Sequence, residues 1–195
     1  MKNWIVLLLL VLFCTNATAK ENERARLLEE SLQELQKSPT DSIKQRDFFN
    51  AFPKSFPGLL VCFGYTSFSD PQLDYEDYVN AFRDLTYVSE KEKMIRLSHI
   101  MIGGFWQADG VNLTYDIMED LMRKDPDRAL SVISKLTESQ QILFWQCYWQ
   151  NPCEDPSLER DFKLFYSTPG YNRERQVMKE AYESFKGELP MITDC

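Results

Sequence analysis

Four carboxylates on one predicted helix, Asp109, Asp116, Glu119 and Asp120, come nearest in type and spacing to carrying chemistry. Asp109 and Asp116 lie seven residues apart and share a face, and Asp120 follows Asp116 at i+4. Paired carboxylates hydrolyse glycosides, but only when two carboxyl groups in contrasting environments face each other across a cleft. One exposed helix face gives all four the same solvent, so the expectation is a solvated acidic face. Just upstream, Gly103-Gly104-Phe105-Trp106-Gln107-Ala108-Asp109-Gly110 is the most unusual local sequence. Two glycines permit close backbone approach, and an aromatic ring beside a carboxylate can hold a sugar or a cationic side chain. The plainer reading packs Trp106 into the core and leaves Asp109 to offset the positive end of the helix.

Other chemistry is sparse. The single histidine, His99, sits between Ser98 and Ile100 on a mostly apolar helix, with no nucleophile or acid at a triad-like position. There is no GxSxG, no HExxH and no phosphate-binding glycine loop. Without a CxxC or Cys/His spacing, no metal or cofactor is expected. Asn112-Leu113-Thr114 matches a glycosylation acceptor, but on a predicted helix. The expectation is a protein that is not an enzyme. Three aromatic residues near helix ends, Tyr65, Trp149 and Tyr171, join Trp106, Asp109, Asp116 and Asp120 as candidates to contact a partner.

The first nineteen residues read as a secretory signal peptide: Lys2, an apolar run from Trp4 to Phe13, and Ala17-Thr18-Ala19 before Lys20. The run is too short to span a bilayer, and no later segment approaches that length, so stable membrane insertion is not expected. Cys14 offers a lipid-attachment alternative, which the bulky Phe13 before it disfavours. Export places the protein in a periplasm or outside the cell. There Cys62, Cys147, Cys153 and Cys195 can form disulfides. Cys147 with Cys153, close in sequence around Asn151-Pro152, and Cys62 with Cys195 is the expected pairing, buried free thiols the alternative. Cleavage removes only Lys2 among charged residues, taking the net charge from −8 to about −9. Such a body repels phosphate backbones, which excludes nucleic acid as a partner and favours a basic one.

Helical periodicity runs through the remainder. Residues 20–38 carry a narrow stripe, Leu28, Leu32 and Leu35, which predicts a loosely packed N-terminal helix. Ser38-Pro39 reads as the start of the next helix, with Ile43, Phe48, Phe49 and Phe52 on its apolar side. Phe56 to Tyr65 reads as a buried helix, and Tyr75, Tyr78, Val79, Phe82 and Leu85 as an amphipathic one. Ser89 with Glu92 and Thr137 with Gln140 fit capping boxes. The first opens a helix bearing Met94, Leu97 and Met101 on one line and Ile95 and Ile102 on another. Val111, Tyr115, Met118 and Met122 stripe the next helix, and Asp125-Pro126 starts another with Ala129, Val132, Ile133 and Leu136. Gln141 to Gln150 is apolar on every side, which predicts a helix laid over by others. Leu158, Phe162, Phe165 and Tyr166, then Met178, Ala181, Tyr182 and Phe185, form the last two stripes.

These readings give an all-α fold, an antiparallel helix-hairpin bundle in residues 39–195 whose hairpins 89–124 and 126–150 could stack as in an α-solenoid. The function expected is that of an exported non-catalytic protein binding a basic protein partner, such as an inhibitor or immunity protein against an envelope-targeting toxin. The alternatives are an envelope enzyme acting on glycan or peptide, with Asp109, Asp116 and Trp106 in a cleft, and an envelope assembly factor.

Overall fold

A computed structural model describes residues 23–63, 73–106, 109–150 and 156–188, and all regular structure among them is helical. Helix α1 covers 23–37. It is followed by α2 (Ser42–Ala51), α3 (Phe56–Phe63), α4 (Tyr75–Asp84), α5 (Glu90–Met101), α6 (Asp109–Lys124), α7 (Pro126–Ile133), α8 (Glu138–Trp149), α9 (Pro156–Ser167) and α10 (Asn172–Glu188). Local chemistry sets most starts. Both capping boxes form: the Ser89 hydroxyl accepts from Glu92 N and the Thr137 hydroxyl from Gln140 N, each side chain reaching back to the cap backbone. Asp74 caps α4, and Asp125 caps α7 with Pro126 at its first turn. The turn after α5 depends on Gly103, whose φ of +70° lies in the left-handed region that favours glycine.

The molecule is a helical bundle. Helix α5 lies at its centre, packed against α3, α6, α7 and α8, while α4 covers α6 and α10 covers α8 and α9. The widest side chains bury where α8 meets α9 and α10: Trp145 stacks on Trp149 with centroids 5.5 Å apart, and Tyr182 meets Trp149 edge-on at 5.0 Å. A second aromatic knot, Phe49, Phe52, Phe63 and Phe82, joins α2, α3 and α4. The stripe of α1 docks fully, because Ala25 widens the three leucines and all four are buried.

Several expectations change. Helix α2 starts at Ser42 rather than at Pro39, because the Asp41 carboxylate accepts from Ile43 N at 2.7 Å and caps it there. Ile43 consequently points to solvent and Gln45 turns inward. The Gln45 amide oxygen accepts from Thr86 N and Tyr87 N, both at 2.8 Å, pinning the turn between α4 and α5. On α5 the inward line includes Ile100, and Ile95 is exposed. Helix α8 is central but not enclosed, since Ile142 and Leu143 are 38% and 41% exposed. On α9, Tyr166 is exposed and Asp161 takes the buried position between Leu158 and Phe165.

Candidate functional site

Helix α6 supplies the candidate site. Val111, Tyr115, Met118 and Met122 bury one side of it, which fixes the direction of every other side chain it carries. The expected uniform acidic face is in fact split by depth. Asp120 is exposed, Asp116 is half-buried and Glu119 is buried, so the three do not share one solvent. Asp109 is the first residue of α6, and its side chain lies outside the described portion of the structure. Asp116 and Asp120 stand one turn apart, and neither enters an ion pair among the described residues. Partial burial raises the Asp116 carboxyl above its ordinary value and the Asp120 charge adds to that, while Arg83 and Arg123 act the other way. Asp120 also borders a cavity of about 210 Å³ shared with Arg83, Glu90, Lys93, Ile117, Leu121 and Lys124.

Behind this face lies a buried charge cluster. Arg123 Nε donates to both oxygens of Asp161, at 3.1 and 3.0 Å, and Arg123 Nη2 donates to Glu119 Oε2 at 2.9 Å. The Tyr148 hydroxyl donates to Asp161 Oδ2 at 2.9 Å. The guanidinium thus clasps α6 to α9, its fork matching the carboxylate in two places, and the Tyr148 hydroxyl joins α8 to the same carboxylate. Asp161's hydrogen bonds raise the Arg123 pKa. Glu119 has only one oxygen engaged, its Oε1 being buried without a partner among the described residues. Burial, opposed by Arg123, pushes the Glu119 carboxyl up to about 7. Burial likewise lifts the Tyr148 phenol well above its usual range.

Through Asp161, which Arg123 and Tyr148 share, the cluster ties α6, α8 and α9 to one another. No group of three or more His, Cys, Asp or Glu side chains among the described residues is arranged to hold a metal ion.

Comparison with known proteins returns nothing: no family model, curated protein or solved structure matches this chain.

Of the aromatic candidates, Trp106 follows the plainer reading. Its indole N–H donates to Cys147 O at 3.1 Å and its ring meets Tyr115 edge-on at 5.6 Å. Gly104 makes this possible, because a Cβ there would sit 2.3 Å from the Tyr115 hydroxyl oxygen. Trp149 is completely buried and offers a partner no surface, a correction that follows from the ring stacks on Trp145 and Tyr182. Tyr171 is half-buried at the start of α10, and Tyr65 lies outside the described residues. Cys62 and Cys147 are buried free thiols, pushed by burial up to about 11 and about 12. The residues expected to pair with them, Cys153 and Cys195, lie outside the described residues. His99 is exposed on α5, near a cavity of about 140 Å³. Asn112 and Thr114 are within α6, the threonine buried with its hydroxyl donating to Gly110 O.

The deep cluster escaped sequence reading, yet signals existed. Glu119 and Arg123 stand at i and i+4, and Asp161 interrupts the apolar line from Leu158 to Phe165. A lone acid on a buried stripe requires a cation, and Arg123 is that cation.

Proposed function

We propose that this chain is an exported, non-catalytic helical protein that binds a basic protein partner, acting as an inhibitor or immunity protein against an enzyme that attacks the cell envelope. The observation that carries the reading is the pair Asp116 and Asp120: two carboxylates one turn apart, without ion pairs among the described residues, on a helix whose opposite side is locked into the core. Partial burial and the neighbouring Asp120 charge make Asp116 costly to keep charged, and a cation brought by a partner relieves that cost. The net charge of −8 adds long-range attraction for a basic surface. No helix among the described residues is long and apolar enough to cross a membrane.

The test is capture from native envelope extract by the tagged protein and by its Asp116→Asn/Asp120→Asn variant, followed by association kinetics with whatever basic protein is retained. The expected result is a stoichiometric, salt-sensitive partner whose association slows by roughly tenfold in the variant. Equal capture and equal association rates for both proteins would remove the acidic face from the reading.

A further inference from the structure

A cavity lies away from α6, between α1, α2 and the start of α3. It has a volume of about 450 Å³, within the range of small-molecule sites. Its floor is apolar, formed by the buried Phe52, Pro53 and Cys62, and Leu27 extends the apolar surface at its exposed edge. Its rim carries Arg24 from α1, Asp47 from α2 and Lys54 from the turn before α3, all exposed. Neither Arg24 nor Lys54 takes part in an ion pair among the described residues, although neighbouring cations do: Arg26 holds Glu30, Lys37 and Lys44 hold Glu34, and Arg46 holds Glu92. The Arg24 charge reaches the floor, where it partly offsets the effect of burial on the Cys62 thiol. With Asp47 counted, the rim has one net positive charge in a molecule that is otherwise strongly acidic.

We propose that this cavity binds a small amphiphilic monoanion, its apolar body on Leu27, Phe52 and Pro53 and its anionic head between Arg24 and Lys54. Two unpaired cations over an apolar floor satisfy both halves of such a molecule, whereas a neutral apolar ligand leaves the cations unused and a cation is repelled. The site is separate from the acidic face of α6 and stands or falls without it.

Gly58 provides a way to close the cavity without touching the rim. It lines the cavity from α3, and a Cβ there meets only Ser55 Oγ at 3.5 Å and Pro53 Cβ at 3.9 Å, both ordinary contacts with other lining residues. Gly58→Leu therefore projects into the space. The probe is decanoate, with 1-decanol as its uncharged counterpart, titrated calorimetrically into the purified protein. One saturable decanoate site is expected. Decanol should bind more weakly, and Arg24→Gln/Lys54→Gln should weaken decanoate by about tenfold. Lys54→Arg should retain most of the binding and Gly58→Leu should abolish it, both with unchanged circular dichroism. Absence of saturable binding overturns the proposal, as does decanol binding as tightly as decanoate or a rim double variant with undiminished affinity. Because Arg24 and Lys54 are exposed, their replacement tests the site even if Gly58→Leu proves unstable.

Discussion

Glu119 shows how one buried carboxyl couples this fold to pH. Its folded value near 7 lies above the ordinary 4.5, so the folded state holds its proton more tightly than the unfolded chain. Below about pH 4.5 both states are protonated and nothing is lost. As pH rises from there to about 7, the unfolded chain releases the proton first and stability falls, by on the order of 3 kcal/mol at most. Asp116 contributes with the same sign. Glu92 does the reverse: its hydrogen bonds with Arg46 and Ser89 depress it to about 2, so its contribution is present above the ordinary value and is lost only as pH falls towards 2. The two windows do not overlap. Glu119→Gln keeps an oxygen for Arg123 but has no proton to lose, so it should be more stable than the parent at about pH 8 and close to it at about pH 5. Urea midpoints at both values decide this; parallel pH profiles for the two proteins would show that Glu119 does not titrate in that window.

At the scale of elements, the Arg123 clasp matters because it joins helices that turns alone would not hold in register. Arg123→Ala leaves Asp161 and Glu119 buried without their cation and should cost about 3–5 kcal/mol. Arg26→Ala, which breaks only an exposed i, i+4 pair with Glu30, should stay within about 1 kcal/mol. Comparable urea midpoints for the two variants would mean that the clasp is not what holds α9 to α6. Gly110 tests close packing at the opposite end of α6. A Cβ at that position would stand 2.6 Å from Tyr75 Cβ and 2.8 Å from Phe63 Cβ, stem atoms that cannot swing aside, so Gly110→Ala should destabilise by roughly 1–3 kcal/mol. An unchanged thermal midpoint would place α3 and α4 farther from α6 than these distances. Gly58→Ala, with open space beyond it and a helix around it, should instead gain about 0.5–1 kcal/mol.

These elements divide by what a sequence can reveal. The Ser89 and Thr137 capping boxes were legible because donor and acceptor lie three residues apart, and the Gly103-Gly104 turn because its demand on the backbone is local. The clasp was not, because Arg123 and Asp161 are separated by 38 positions and only the packing of α6 on its neighbours brings them together. Asp41 displaced Pro39 as the start of α2 for an intermediate reason. Both are valid start signals, and burial of Gln45 against the turn at Thr86 decides between them. The acidic residues of α6 were recognised as a group, but the differing depths of Asp116, Glu119 and Asp120 depend on which neighbours cover the helix.

Over the whole molecule, charge is set against apolar surface. Leu27, Ile43, Ile95, Phe105, Ile142 and Leu143 are exposed on several sides of the bundle, and Ile142 and Leu143 adjoin on α8. A net charge of −8 keeps copies apart at neutral pH. That repulsion vanishes near the isoelectric point of about 4.8, where carboxylates gain protons while the apolar side chains are unchanged. Self-association followed by light scattering should therefore peak near pH 4.8, and at neutral pH it should rise with added salt as screening shortens the range of repulsion. If α8 carries the contact, Ile142→Ser/Leu143→Ser lowers the peak without moving it, because the double variant changes apolar area and leaves every charge in place. A peak of undiminished height would assign association to another exposed side chain, and a peak that moved would show that charge and apolar surface are not separable on this helix.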